Sequence, residues 1–122
     1  MKNNNNTIDK GRLAEEMAGR YLEKQGLVIL ARNYSCRSGE IDLICHDKHT
    51  LVFVEVRFRK DSRFGGASAS ITKTKQRKII SAAQHYLIRT MKVNQACRFD
   101  CVLLDEISDD HIEWIRNAFS AD

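Results

Sequence analysis

Apolar residues recur along this chain in two periods, and each change of period marks the end of an element. Leu13, Ala14, Met17, Ala18, Tyr21 and Leu22 fall at helical spacing. They predict a first helix, capped by Thr7 or Asp9 and running to about Gln25, where Gly26 supplies the stop. Strands are predicted over Leu27–Tyr34, Gly39–His46 and Thr50–Phe58, each apolar, rich in β-branched residues and bounded by turn formers. The third is apolar on both faces, with Val52, Val54, Val56 and Phe58 on one and Leu51 and Phe53 on the other. Such a strand is normally covered on both sides. A second helix is predicted from Ile71 or Thr72 to about Met91, with Ile79, Ile80, Ala83, Leu87 and Met91 on its buried side. Strands at Cys97–Asp105 and His111–Ile115 close the chain. The asparagine run makes residues 1–8 an expected disordered tail, and residues 9–122 read as a single domain without proline, repeat or interdomain linker. Arg59–Ser70, with Gly65-Gly66 and many small residues, is the expected mobile connection. It suits a lid or a nucleic-acid-contacting arm, and equally a plain connector.

Two carboxylates interrupt this apolar pattern. Glu55 shares the Phe53 face of the third strand, and Asp42 lies in the strand before it. Burying a carboxylate costs several kcal/mol unless it is paired or bound to a cation. If Asp47-Lys48-His49-Thr50 forms a tight turn, the register sets Asp42 opposite Glu55 and Glu40 opposite Arg57. Like charges directly opposed are destabilising. A divalent ion between them would turn the repulsion into coordination, since hard oxygen ligands suit Mg²⁺ or Mn²⁺. The alternative is an ordinary Glu40–Arg57 cross-strand pair, with Asp42 and Glu55 at a solvated strand end.

Charge adds a candidate partner. The chain carries a net charge of +4 and a pI near 9.0, which allows a phosphate-rich partner. Lys73, Lys75, Arg77 and Lys78 crowd the first turns of the second helix. Cations there oppose the helix dipole, so their concentration points to an anion such as a nucleic-acid backbone, or else to a solvated basic face. No window approaches the roughly 18 apolar residues of a membrane span, and the polar start lacks the apolar core of a signal peptide. A soluble cytoplasmic protein without a membrane partner is expected. Cys36, Cys45, Cys97 and Cys101 form no Cys-x-x-Cys pair and no zinc-ligand spacing with histidine, so reduced structural thiols are expected.

Asp42, a gap, then Glu55-Val56-Arg57 resembles the Asp…Glu-x-Lys signature of the PD-(D/E)XK nuclease superfamily. A fuller set resembles the small bacterial YraN-like family, similar to Holliday-junction resolvases. That set is Gly11, Glu15, Ala18, Tyr21-Leu22, Ala31-Arg32-Asn33, Gly39-Glu40-Ile41-Asp42-Leu43-Ile44, Val52-Phe53-Val54-Glu55-Val56, Arg59, Phe64-Gly65, Lys75 and Arg98-Phe99-Asp100. The resemblance covers nearly the whole chain in order. It implies a three-layer α/β/α restriction-endonuclease-like core with a central mixed β-sheet. It further implies Mg²⁺ or Mn²⁺ held by Glu15, Asp42 and Glu55, with catalysis by Asp42, Glu55 and the residue at 57. DNA, branched or otherwise structured, is the implied partner, and Arg59 with the basic cluster Lys73, Lys75 and Lys78 is expected to supply the phosphate contacts. Resolvase-like relatives often act as dimers, so a homodimer is a further expectation.

One position departs from that pattern: the superfamily has lysine where this chain has Arg57. Arginine stays protonated in proteins, so it can stabilise an anion but cannot act as a base. Two function classes follow. One is a metal-dependent endonuclease that hydrolyses phosphodiesters, weakened at this position. The other is an inactive nucleic-acid-binding or protein-interaction module on the same fold.

Overall fold

The structure, a computed structural model, describes residues 6–58, 71–105 and 111–121. Helix α1 spans Asn6–Lys24, strands β1, β2 and β3 span Val28–Cys36, Gly39–Asp47 and Thr50–Phe58, helix α2 spans Lys73–Arg89, and β4 and β5 span Cys97–Leu104 and Ile112–Phe119. The strands form one sheet in chain order. Every neighbouring pair is antiparallel except β3 and β4, which run parallel. A parallel neighbour needs a long crossover, and α2 lies within it.

The two apolar faces read from β3 are covered by different helices. Val52 and Val54 join Leu43, Cys45, Val102 and Leu104 beneath Ala14, Met17, Ala18 and Leu22 of α1. Leu51 and Phe53 join Ile41, Ile44 and Phe99 beneath Ile79, Ala82, Ala83 and Tyr86 of α2. Phe53 stacks on Phe99 at 5.5 Å, and Tyr86 meets Phe53 edge-on. This is a three-layer α/β/α arrangement around a mixed sheet, consistent with a restriction-endonuclease-like core. Each fully buried large apolar side chain in these layers contributes about 1.5–3 kcal/mol, so both helices are firmly seated.

The structure corrects the sequence reading in several places: α1 begins at Asn6, inside the expected tail, and Leu13, expected on its apolar stripe, is 40% exposed. Met91 was expected on the buried side of α2 but is 88% exposed. The helix stops at Arg89 with Thr90 as its C-cap, and Met91 turns away in a left-handed conformation (φ 60°). The last strand extends to Phe119 rather than Ile115, because the chain passes a bulge where Asn117 is left-handed (φ 53°) and pairing resumes at Phe99 and Phe119. Arg59 and the expected mobile connection lie outside the described residues. Among the described residues no helix is long and apolar enough to cross a membrane. All four cysteines are free, and burial pushes the Cys45 and Cys101 thiols up to about 12.

Candidate functional site

The β2–β3 hairpin has the expected register from Asp47↔Thr50 to Leu43↔Val54, and its ladder ends there. Asp42 and Glu55 would be the next pair. From Glu55 to Phe58, β3 is paired only on its other side, with β4 from Cys101 to Leu104. Glu40 and Arg57 are likewise unpaired across the hairpin, and Arg57 forms its ion pair with Glu55 instead. The sheet opens at the point where the two acids stand.

The neighbouring ladder has a gap at the same level. Pairing between β1 and β2 runs through Arg32↔Leu43 and Tyr34↔Ile41 but passes over Asn33 and Asp42. Asn33 is left-handed there (φ 51°). Side-chain alternation resets on both strands across this gap. Ile41 packs toward α2 although Leu43, two residues on, packs toward α1. Ala31 and Tyr34 both pack toward α2 although they are three apart. Asp42 therefore sits where two regular strands change faces, which frees its side chain to reach between layers.

Three carboxylates meet in this opening. The Val56 N–H donates to Asp42 Oδ2 at 2.8 Å, replacing the ladder partner that the splayed strands withhold. Glu55 and Glu15 each lie near enough to Asp42 for their carboxyl groups to perturb one another. Glu15 arrives from α1 beside Ala14 and Ala18, whose small, buried side chains let the helix lie close to the sheet. The Asn33 side chain lies beside Glu15 and works against the rise in its pKa.

Two cations close the cluster. Arg57 Nη1 lies 3.3 Å and Lys75 Nζ 3.8 Å from Glu55 Oε2. Lys75 is delivered by the start of α2. Thr72 caps that helix by accepting from the Lys75 N–H at 3.1 Å, and Ile71 is buried against Cys101 and Leu103. Because Cys101 is the ladder partner of Glu55, Ile71 pins the helix start next to the acid that Lys75 meets.

Electrostatics follow from this crowding. Glu55 is only 7% exposed, and burial, then the Asp42 charge, push its carboxyl up to about 7 against the pull of Lys75 and Arg57. Burial also raises Asp42, while the Val56 N–H works against that rise. Burial and Asp42 raise Glu15. Perturbed acids gathered at a strand opening are a usual mark of a functional site.

The structure thus brings together Glu15, Asp42, Glu55, Arg57 and Lys75. Lys73 and Lys78 stay exposed on α2 and apart from the acids. The β1–β2 turn comes down onto this helix: a Cβ on Gly39 would stand 3.0 Å from the Lys78 carbonyl oxygen. Asn33 is the residue that strand periodicity does not single out. Its signal is its type, since asparagine tolerates the left-handed conformation better than other residues with a Cβ.

A second buried acid lies away from this cluster. Asp100 has no exposed surface and accepts from Arg98 Nε (3.0 and 3.1 Å), Trp114 Nε1 (2.9 Å) and the Asn117 N–H (3.0 Å). Arg98 also reaches Asp47 at 3.2 Å. With every oxygen engaged, this network ties β4 to β5 and to the hairpin turn.

Comparison with known proteins agrees with the resemblance drawn from the motifs. The sequence profile of Uncharacterised protein family UPF0102 matches residues 14–104, from the helix that carries Glu15 to the end of β4. A UPF0102 protein of Dechloromonas aromatica is 55% identical over 122 residues, spanning 100% of this chain and 98% of its own. One from Psychromonas ingrahamii is 56% identical over 110 residues (90% and 88%), and one from Nitrosococcus oceani 53% over 113 (91% and 91%).

Proposed function

The chain belongs to Uncharacterised protein family UPF0102, the YraN family, and on that premise we propose that it is a metal-dependent endonuclease-like protein acting on DNA. The observation that carries this reading is the convergence of Glu15, Asp42 and Glu55 in the opening between β2 and β3. Their chemistry fits a hard divalent cation such as Mg²⁺ or Mn²⁺: all donors are carboxylate oxygens, and their mutual repulsion is relieved by a cation. As they stand, no three Asp, Glu, His or Cys among the described residues are arranged to hold an ion. The reason is visible in the contacts, since the acids are engaged with one another, with Val56 N–H and with Arg57 and Lys75.

Bound there, a divalent ion would supply an acidified water and neutralise charge developing on phosphorus and the leaving oxygen. The chain's own residues supply the rest. Asp42, fixed by the Val56 N–H, is the rigid ligand, and Glu55 and Glu15 are the adjustable ones. Arg57 releases Glu55 to clamp a phosphate in bidentate fashion. Lys75, on the same carboxylate, is a second cation within the cluster, standing on α2 rather than on β3 where the superfamily's lysine lies. Lys73 and Lys78 extend the positive surface along α2 for phosphates further along the strand.

Incubating the protein with linear, flapped and four-way DNA in Mg²⁺ or Mn²⁺ tests this reading. Cleavage that disappears in Asp42→Asn is the expected result, and a protein inert on all three substrates would overturn the enzymatic part. A binding-only reading draws on one observation, the arginine at 57. It expects salt-sensitive binding to the same DNA without cleavage in either metal.

A further inference from the structure

Helix α2 carries Lys73, Lys75, Arg77, Lys78, His85 and Arg89 and not one Asp or Glu. No acid occurs anywhere in the sequence between Asp61 and Asp100. A solvated helix face ordinarily mixes both signs, because opposite charges three or four residues apart stabilise a helix and like charges oppose it. Only part of this charge is turned to the acid cluster, where Lys75 meets Glu55 of β3. Lys78 and His85 lie on another flank, over β1 and its turn. The Lys78 Cβ stands 3.1 Å from where a Cβ on Gly39 would be, and Tyr34 Oη hydrogen-bonds His85 Nδ1, with ring centroids 5.8 Å apart. These two residues are about two turns apart on one face of the helix, and Arg89 follows one turn further along it. Arg37 belongs to the β1–β2 turn that comes down onto Lys78.

We propose that this flank, with Arg37, Lys78, His85 and Arg89, is a second DNA contact surface, which holds the backbone of a duplex arm leading away from the acid cluster. The inference rests on the DNA reading above and adds where the arm lies. All four side chains are exposed, so an approaching backbone meets them without any rearrangement of the core. From Lys78 to Arg89 the helix rises about 16 Å at about 1.5 Å per residue. That length matches about five phosphates of one strand, spaced about 3.4 Å along the duplex axis. His85 is the oriented member of the set. Tyr34 packs edge-on against buried Tyr86 at 5.2 Å, and its hydroxyl fixes the imidazole in turn. With the Tyr34 O–H donating to Nδ1, the ring keeps its proton on Nε2, ready to donate to a phosphate oxygen.

The test is fluorescence anisotropy of the full chain on a blunt duplex over a salt series, with a chelator present so that neither metal nor cleavage enters. The double variant Arg37→Gln, Arg89→Gln is compared with the parent and with Arg12→Gln, Arg20→Gln. The latter removes the same charge from exposed positions on α1, on the other side of the sheet. The flank variant is expected to melt like the parent and to make the slope of log affinity against log salt shallower by about two units, while the α1 variant keeps the parental slope. His85→Ala is expected to weaken binding at every salt concentration. Parental binding in either flank variant would overturn the inference, as would an equal loss in the α1 variant. If the double flank variant melts early, Arg89→Gln alone, expected to change the slope by about one unit, is read in the same way. A parent chain that binds no duplex would overturn the DNA reading itself and this inference with it, a failure visible before any substitution on the flank.

Discussion

The Asp42 carboxylate takes the Val56 N–H at 2.8 Å across a gap where two strands have stopped pairing. Asp100 does the same for the Asn117 N–H at the bulge between β4 and β5. In both places an acid side chain stands in for a missing backbone acceptor, because a buried N–H left unpaired is costly. The two acids differ in what else they touch. Asp100 meets only donors and is fully satisfied, whereas Asp42 meets two further carboxyl groups. The first arrangement suits structure, and the second suits a cation.

Substitutions at Asp42 should therefore separate fold from chemistry. Asp42→Asn keeps an oxygen for Val56 N–H and should cost well under the 1–3 kcal/mol typical of an orphaned buried donor, which Asp42→Ala should incur. Both should lose Mn²⁺ binding. Denaturant unfolding and calorimetric titration of the two variants give the comparison, and unchanged Mn²⁺ affinity in Asp42→Ala would remove Asp42 from the ligand set.

Asp100 should behave in the opposite way. Removing it takes the acceptor from Trp114 Nε1–H and the Asn117 N–H and leaves Arg98 with Asp47 alone, and an orphaned buried donor costs about 1–3 kcal/mol. Asp100→Ala is expected to lower the unfolding free energy by that order, with Mn²⁺ affinity near the parental value wherever the variant remains folded. A variant that melts like the parent would show the network to be dispensable.

Stability of the metal-free protein should depend on pH through Glu55. Its carboxyl is raised in the folded protein to about 7 from an ordinary 4.5, by burial first and Asp42 second. The folded state thus holds a proton that the unfolded chain releases. The stabilisation is fully present below about pH 4.5, falls as pH rises, and is gone above about pH 7. Asp42 and Glu15 are shifted in the same direction. Urea unfolding in the presence of a chelator should show the parent losing on the order of 1–3 kcal/mol across this window relative to Glu55→Gln. Parallel pH profiles for the two proteins would rule out Glu55 as the source.

Much of this was legible in the residues. The β2–β3 register follows from the turn at Asp47–Thr50, and the two-faced strand at Val52–Phe58 announced helices on both sides. Asp42 and Glu55 stood out because acids are expensive among valines and phenylalanines. The break in the ladder did not show. It depends on a single left-handed asparagine and on a side chain replacing a backbone acceptor, and neither alters the alternation of apolar letters. Nor did the basic run at the start of α2 reveal its division of labour. One cation, Lys75, turns inward to Glu55 while Lys73 and Lys78 remain outside, a distinction set by how Ile71 seats the helix.

That division predicts different outcomes for neighbouring lysines. Lys73→Gln and Lys78→Gln should weaken DNA binding uniformly across sequences and reduce the salt slope by about one unit each. Lys75→Gln should also change Mn²⁺ affinity, since it removes a cation from a carboxylate of the proposed ligand set. Fluorescence anisotropy over a salt series, paired with Mn²⁺ titration, reads both effects. Equal metal affinity in all three variants would return Lys75 to the outer surface.

Arg57 decides between catalysis and binding. It lies two residues beyond Glu55 on the same strand, and its guanidinium is 3.3 Å from the Glu55 carboxylate. Side chains at that spacing project together, so a phosphate drawn to the acids by a metal is within its reach. The guanidinium forms a planar, bidentate clamp and keeps its proton, so it strengthens phosphate binding without offering a base. Lysine at the same place would put a smaller, titratable cation beside Glu55. The natural protein is therefore expected to be a weak nuclease on simple duplex DNA, and Arg57→Lys to raise metal-dependent cleavage while lowering affinity for uncut DNA. General-base contributions run about 10²- to 10⁴-fold, large enough to read on a gel. The opposing shifts in rate and affinity separate a gain in chemistry from a general improvement in folding. Vigorous cleavage by the natural protein, left unchanged by Arg57→Lys, would mean that the proton acceptor lies elsewhere in the cluster, and Lys75→Met would then be the substitution expected to abolish it.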